Sequence, residues 1–363
     1  MIGGDESISS NPARDKRLRG LDVMRGIAIS LVMLRHSWPS SFGGAGVVGV
    51  AMFFVLSGFL ITKNLVVEHA HMGHINKKLF YSRRALRLIP ALVFTVIAVA
   101  FVHLWANPLG DKTKLPSSII LSFAYLADFH IPGMTPALGH LWSLSVEEQF
   151  YLFWPSLFVL LIKARSGKKL FNLVLVFAAV LPVISALMIS RFDRLYVLPT
   201  TWAVALLGGC WLAINPANML VTGAPRKFWL VISAGLLSAL CLVPELKASF
   251  GLYVFGVLTI TLASSVLLLC LRHAPLDNGL GATFAFIGKI SYGLYLWSIP
   301  MQLWISVWAH TGPEQVGFLI ILMTFIAALT SWYLVENPIN RLASRRFLGL
   351  ANESNRHGER KID

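Results

Sequence analysis

The 363-residue sequence has few charged residues, few cysteines and little acidic charge. Charged side chains make up 13% of the chain, whereas about 25% is typical of a soluble globular protein. This excludes an ordinary soluble domain, and the hydrophobic share of 56% predicts an integral membrane protein. Cys210, Cys241 and Cys270 lie in apolar runs without metal-type spacing, which favours small buried thiols over disulfides or metal ligands.

No long polar stretch interrupts the apolar runs between residues 22 and 335, so we expect one domain. Residues 1–20 form a basic cytoplasmic segment without a signal-peptide cleavage site, and we expect the first helix to be retained. Residues 21–340 are predicted to form the transmembrane domain, and residues 341–363 a disordered cytoplasmic tail. The net charge of +14 comes from basic residues in short loops beside apolar runs, which indicates contact with membrane lipids rather than nucleic acid.

Apolar runs of about 17 to 25 residues predict an all-α fold, a polytopic membrane helix bundle of about ten transmembrane helices. The predicted spans are residues 22–37, 46–62, 88–106, 141–162, 170–190, 196–214, 228–243, 251–271, 284–308 and 315–335. Basic residues in every second loop place both termini in the cytoplasm. This alternation requires that residues 115–130 do not cross, so we expect a short re-entrant or interfacial helix there.

The first predicted helix carries Asp22, Arg25 and His36. At about 100° per residue, Arg25 and His36 project from nearly the same side, and Asp22 lies within roughly 40° of it. Ionisable residues in spanning helices cost about 2.5 to 3.5 kcal/mol each on insertion scales and usually face the bundle interior. The predicted topology puts Arg25 toward the cytoplasm and His36 about 16 Å nearer the outer face.

The segment "GHLWSLSVEEQFYLFWP" places Ser143, Glu147 and Tyr151 on one helix face. Glu147 is predicted at the membrane level of His36, and an imidazole held by a carboxylate can deprotonate a substrate hydroxyl. We therefore predict His36 and Glu147 as catalytic residues, with Ser143 and Tyr151 beside the substrate. Asp22 is a second candidate partner, but it lies about 21 Å below His36 by the helical rise and is expected to pair with Arg25.

A basic cluster in "FYSRRALRLIP" contains Arg83, Arg84 and Arg87 near the start of the third helix. Guanidinium groups three or four residues apart share a helix face and suit phosphate oxygens, and Arg25 is predicted at the same depth. These four arginines are therefore candidates for binding a polyphosphate. The alternative is that the cluster only sets topology and contacts lipid headgroups.

Other segments leave two interpretations open. Tyr295 and Ser298 in "GKISYGLYLWSIP" line one helix face and either contact substrate or bond between helices. Glu336 in "LVENPINR" is expected to pair with an inner arginine, for structure or for function. The glycines in "GVVGVAMFFVLSGFLIT" favour close helix packing over a substrate channel. No metal site is expected, since the histidines of "HAHMGH" have no carboxylate or thiolate completing one.

Six segments taken together resemble one family, the membrane acyltransferase-3 proteins, which O-acylate glycans and related hydroxylated molecules. In chain order they are "RGLDVMRGIAISLVMLRH", "GVAMFFVLSGFLIT", "RRALRLIP", "GHLWSLSVEEQFYLFWP", "ISYGLYLW" and "VENP". The resemblance implies about ten membrane helices and transfer of an acetyl or other short acyl group to an acceptor hydroxyl. The donor it implies is acyl-CoA, most simply acetyl-CoA, reaching the protein from the cytoplasm.

The family's functional elements fall on residues already singled out. Its arginine-to-histidine element matches Arg25 and His36, its arginine pair matches Arg84 and Arg87, and its W-S-L-x-x-E element ends at Glu147. Many members have a histidine after the "YLW" of the ninth helix, where this chain has Ser298. The hydrolase-like domain fused to some members has no counterpart in this sequence, which leads us to expect that the protein acts alone or with separate partners.

The resemblance leaves the acceptor open among a glycan, a glycolipid and a secondary metabolite. We expect the protein to lie in the cytoplasmic membrane as a multi-pass integral membrane protein. The alternative function is a transporter or flippase of acyl donors or glycolipids, which would also need buried charge along a path across the bilayer. A membrane protein whose polar residues only hold helices together is the second alternative.

Overall fold

The computed structural model of the chain describes residues 12–129, 133–215, 225–272, 274 and 279–342. Over these ranges the secondary structure is helical and contains no strand, which confirms the all-α prediction. The α-helices are α1 (Pro12–Ser37), α2 (Ala45–Met72), α3 (Lys77–Trp105), α4 (Leu115–Ala124), α5 (Pro136–Gly139), α6 (Trp142–Lys163), α7 (Gly167–Met188), α8 (Phe192–Val197), α9 (Pro199–Ile214), α10 (Pro225–Cys241), α11 (Val257–Leu271), α12 (Gly279–Lys289), α13 (Ser291–Trp308) and α14 (Gly317–Ser331). Short 3₁₀ segments cover Lys112–Lys114, Ala127–Phe129 and Leu246–Ala248, and π-helical segments cover Leu252–Gly256 and Trp332–Glu336.

In this described part of the chain, six helical segments are long and apolar enough to cross a membrane. They are Ala45–Met72, Lys77–Trp105, Gly167–Met188, Phe192–Ile214, Leu252–Leu271 and Gly317–Leu342. Several long apolar helices of this kind indicate a multi-pass membrane protein. The predicted total of about ten crossing helices and the cytoplasmic position of both termini stay predictions. The tail predicted at 341–363 lies almost entirely outside the described residues.

Over the described residues 115–129, the segment predicted not to cross the membrane contains the short helix α4 and the 3₁₀ segment Ala127–Phe129. The 10 residues of α4 span about 15 Å, roughly half of a bilayer's hydrocarbon core. The helix ends at Tyr125, which adopts a left-handed conformation with φ of 54° and donates its backbone N–H to carbonyls of the last turn. The prediction of a short helix is therefore confirmed, and its placement in the membrane stays a prediction.

The predicted ninth span, residues 284–308, is wrong as one continuous helix. The structure has α12 and α13 there, separated at Ile290. Hydropathy cannot reveal this break, because the sequence is apolar on both sides of it. The break follows a tight backbone contact: a Cβ atom at Gly288 would lie 1.9 Å from the carbonyl oxygen of Asp22. Helix α12 therefore packs closely on α1 two residues before the break.

The chain divides into two compact units. One combines Met1–Val66 with Leu160–Ser291, and the other combines Val67–Val159 with Tyr292–Asp363. In the first unit, α1 packs along α12 and α2 packs on α9. A Cβ at Gly58 would lie 1.9 Å from the Leu206 oxygen, and one at Gly209 would lie 2.1 Å from the Val55 oxygen.

These distances confirm that the glycines of α2 permit close helix packing. Gly49 is a further case, since its Cβ would lie 2.6 Å from the carbonyl oxygen of Ala28. The second unit contains α3, α4, α5, most of α6, α13 and α14.

We expect Gly288→Ala to lower the melting temperature of the detergent-solubilised protein, because the added methyl group would push α12 away from α1. Overpacking of this kind typically costs about 1 to 3 kcal/mol. Gly235→Ala is the matched control, since Gly235 is exposed in the interior of α10 and a Cβ atom added there would meet nothing within 4 Å. That control should stabilise the protein by about 0.5 to 1 kcal/mol. Equal melting temperatures for the two variants would contradict the tight α1–α12 contact.

Candidate active site

The charged residues of α1 form a local ion pair. Arg25 Nη1 donates a hydrogen bond of 2.8 Å to Asp22 Oδ1, three residues earlier, and both side chains are largely buried. The predicted pairing of Asp22 with Arg25 is therefore confirmed. His36 lies eleven residues after Arg25, near the end of α1, and is partly buried. The catalytic and donor-binding roles predicted for these three residues stay predictions.

Arg84 of α3 binds the first turns of α6 in the second unit. Its Nε lies 2.9 and 3.0 Å from the two carboxylate oxygens of Glu148, and its Nη2 lies 2.5 Å from Glu148 Oε1. Glu147 Oε1 is 3.8 Å from the same Nη2. Glu148 is only 14% exposed, so its charge is held away from solvent by this arginine. Two carboxylates therefore share one guanidinium.

Tyr151 completes this arrangement. Its hydroxyl donates a short hydrogen bond to Glu147 Oε1, one helical turn earlier, which confirms that the two residues share a face. The guanidinium carbon of Arg84 lies 3.3 Å from the centre of the Tyr151 ring, within the range of a cation–π contact. We call Arg84, Glu147, Glu148 and Tyr151 the arginine–glutamate cluster.

Tyr125, in the loop after α4, interacts electrostatically with Glu148 and Arg84 of the arginine–glutamate cluster. Burial, and then the charge of Glu148, raise the pKa of Tyr125 to about 12. Burial also raises the pKa of the Asp128 carboxyl, against the effect of a 2.9 Å hydrogen bond from Gln149 Nε2. The loop that follows α4 is therefore buried near α6.

The other two arginines of α3 are more exposed than Arg84. Arg83 and Arg87 lie one helical turn apart and both are exposed. Arg87 interacts electrostatically with Glu336, a buried carboxylate at the end of the π-helical segment after α14. Ser331 Oγ donates a 3.2 Å hydrogen bond to the same carboxylate. This supports the predicted pairing of Glu336 with an arginine of the basic cluster.

A hydroxyl cluster joins the start of α6 to α13. The Tyr295 hydroxyl donates to the backbone oxygen of His140 at 2.6 Å and lies 2.6 Å from Ser143 Oγ. Because the Tyr295 proton points at a carbonyl, Ser143 is the donor of the second bond. Ser298 Oγ bonds within α13, to the Tyr295 backbone oxygen at 2.9 Å. The structure thus contains the interhelical bonding that the sequence left open for Tyr295, while substrate binding by these residues stays a prediction.

Sequence reasoning missed the parts played by Glu148 and His140. Glu148 was visible only as the neighbour of Glu147, and helical spacing did not indicate which carboxylate meets Arg84. His140 Nε2 lies 3.2 Å from the backbone oxygen of Leu296, 156 residues away in sequence. Pro300 was a sequence signal for this contact. A proline has no backbone N–H, so the carbonyl of Leu296, four residues earlier, lacks its usual hydrogen-bond donor in the helix.

Among the described residues, no group of three or more His, Cys, Asp or Glu side chains could hold a metal ion. The candidate residues described above supply carboxylates, guanidinium groups, hydroxyls and imidazoles.

The comparison with known families matches the acyltransferase-3 family, an acyltransferase domain, over residues 18–336. That range contains every candidate site residue, and the chain belongs to this family of acyltransferases.

Among similar proteins, the peptidoglycan O-acetyltransferase OatA of Listeria monocytogenes is 32% identical over 358 residues, covering 90% of this chain and 56% of OatA. A Staphylococcus aureus protein named as a putative O-acetyltransferase is 30% identical, covering 89% of this chain and 57% of its own length. The Bacillus subtilis protein YrhL, named as a putative peptidoglycan O-acetyltransferase, is also 30% identical, with coverages of 90% and 56%. This chain thus spans little more than half the length of these relatives. No solved structure matches it.

Proposed function

We propose that this chain is a membrane O-acyltransferase that moves an acetyl or other short acyl group from acyl-CoA to a hydroxyl group. The acceptor is a glycan, glycolipid or related molecule, and the location is the cytoplasmic membrane. Family membership and relatives named as peptidoglycan O-acetyltransferases support this proposal, with peptidoglycan as the first acceptor to test. The observation that carries it is the arginine–glutamate cluster, a set of partly buried charges that joins two helices of an acyltransferase domain.

We propose that the phosphates of the donor bind Arg83 and Arg87, and for Arg25 the donor-binding role expected from the sequence remains a separate proposal. Arg83 and Arg87 are exposed and lie one turn apart, so their guanidinium groups can approach the same anion. Arg84 was predicted to share this role. The guanidinium group of Arg84 already donates hydrogen bonds to Glu148, and the Tyr151 ring packs against its flat side. A phosphate would therefore have to displace a carboxylate. We therefore assign Arg84 to holding Glu147 and Glu148 in place.

In the proposed reaction, His36 removes the proton of the acceptor hydroxyl as its oxygen attacks the thioester carbonyl. The carbon–sulfur bond then breaks, and the resulting CoA thiolate takes the proton from the imidazolium. The products are an O-acyl ester and free CoA, with His36 returned to its neutral form. The supporting roles predicted for Glu147 and Asp22 remain part of this proposal.

The direct test is acyl transfer by the purified protein in liposomes, with labelled acetyl-CoA and peptidoglycan fragments. We expect fragments heavier by one acyl unit in mass spectra and stoichiometric release of CoA. Translocation of the donor or of a glycolipid without any acylated product would instead support the transporter alternative. Cell-envelope glycans and small metabolites from cells with and without the gene would identify the natural acceptor by the same mass difference.

A further inference from the structure

His140 lies between α5 and α6 and is only 8% exposed. Its Nε2 atom is 3.2 Å from the backbone oxygen of Leu296, in the second turn of α13. A carbonyl oxygen only accepts hydrogen bonds, so Nε2 carries the imidazole proton.

The sequence explains why this carbonyl needs a side-chain donor. In an α-helix, the oxygen of Leu296 would accept from the N–H of residue 300, but residue 300 is a proline. His140 Nε2 supplies the donor that Pro300 lacks, so the imidazole replaces a backbone hydrogen bond of α13. Burial lowers the pKa of His140 to about 4, which keeps the ring neutral at neutral pH.

With the proton on Nε2, Nδ1 presents only a lone pair. This atom is fully buried and has no hydrogen-bond partner among the described residues. A buried acceptor without a partner is uncommon in folded proteins, since its loss of hydration is not compensated.

The groups beside His140 are also acceptors. The Tyr295 proton is donated to the His140 carbonyl, and the Ser143 proton is donated to Tyr295. The lone pairs of Ser143 Oγ and of His140 Nδ1 are therefore left to accept. Such a cluster suits a ligand with O–H or N–H groups and disfavours an anion such as phosphate.

We infer that Nδ1 of His140 accepts a hydrogen bond from a neutral O–H or N–H group of a bound substrate. The donor group is either an alcohol of the acyl acceptor or an amide of the pantetheine arm of acyl-CoA. This inference rests on the proposed function. It makes His140 a substrate-binding residue beside Ser143 and Tyr295, distinct from the base role proposed for His36.

The test compares two substitutions of His140. His140→Gln can keep a donor near the Nε2 position for the Leu296 oxygen, but it removes the acceptor at Nδ1. His140→Asn reaches only the Nδ1 position and gives up the bond to Leu296. We expect the Gln variant to melt like the unmodified protein, with an unchanged kcat and a KM for one substrate raised about tenfold. We expect the Asn variant to melt at a lower temperature.

The substrate whose KM rises identifies the source of the donor group. A rise for peptidoglycan fragments assigns it to the acceptor alcohol, and a rise for acetyl-CoA assigns it to the pantetheine amides. Unchanged KM values for both substrates in a normally folded Gln variant would overturn the inference and leave His140 a structural residue.

Two further measurements keep the test decisive. If His140→Gln fails to fold, Pro300→Ala restores a backbone N–H for the Leu296 oxygen, and His140→Ala is then measured in that background.

If the unmodified protein shows no acyl transfer, the proposed function fails, and ¹⁵N-labelled histidine spectra test His140 separately. We expect the Nδ1 resonance to shift on addition of peptidoglycan fragments or acetyl-CoA, and no shift with either would overturn the inference.

Discussion

Arg84→Ala is expected to reduce acyl transfer by about 100-fold or more, and equally with acetyl-CoA and with acetylpantetheine. The substitution would leave Glu148 buried without its ion pair and would release Tyr151 from the guanidinium face. Breaking one partner of a buried ion pair typically costs about 3 to 5 kcal/mol. A displacement of about 1 Å near the reacting groups is enough for a 100-fold loss of rate.

Acetylpantetheine is the informative donor, because it lacks the nucleotide phosphates of CoA. Arg83→Ala is the matched control on the same helix, since Arg83 is exposed, and it should raise KM for acetyl-CoA while leaving KM for acetylpantetheine unchanged. A loss in Arg84→Ala that is confined to acetyl-CoA would mean that Arg84 binds phosphate, contrary to our assignment. Adding Glu148→Gln to Arg84→Ala should restore part of the activity and stability, since it removes the unpaired charge.

His36→Ala is expected to lower the rate of acyl transfer by about 10² to 10⁴-fold, the usual contribution of a general base. The loss should appear in kcat, with KM for acetyl-CoA within about twofold of its original value. Transfer of labelled acetyl groups to peptidoglycan fragments by the reconstituted protein measures both quantities.

His71→Ala provides the comparison for this experiment, because His71 is exposed at the end of α2 and has no role in the proposed reaction. Its activity and melting temperature should match those of the unmodified protein. Undiminished transfer by a folded His36→Ala variant would remove the base role and leave His36 a residue of helix packing.

Local features of the site could be predicted from the sequence. The Asp22–Arg25 bond and the Glu147–Tyr151 bond connect residues three or four positions apart, and helical geometry alone brings such residues together. The lengths of the apolar runs indicated where helices lie, since such runs mark buried or lipid-facing segments regardless of what packs against them.

Contacts between distant parts of the chain could not be predicted in this way. Arg84 and Glu148 are 64 residues apart, and spacing within one helix carries no information about its neighbour. The same limit applies to the contact of Gly288 with the Asp22 backbone, which lies beside the break at Ile290 and joins two helices far apart in sequence. Pro300 is an intermediate case: the sequence reveals a carbonyl without its helical partner, but the structure is needed to identify His140 as the replacement.

The reciprocal glycine contacts between α2 and α9 bear on how the first unit assembles in a bilayer. At Gly58 and Gly209, a backbone carbonyl oxygen of the opposite helix occupies the space that a side chain would fill. Attraction at such a contact comes from dispersion and Cα–H···O interactions rather than from exclusion of water, so it persists when lipid surrounds both helices. We expect this pair to associate early during membrane insertion and to serve as a rigid template for the helices that follow.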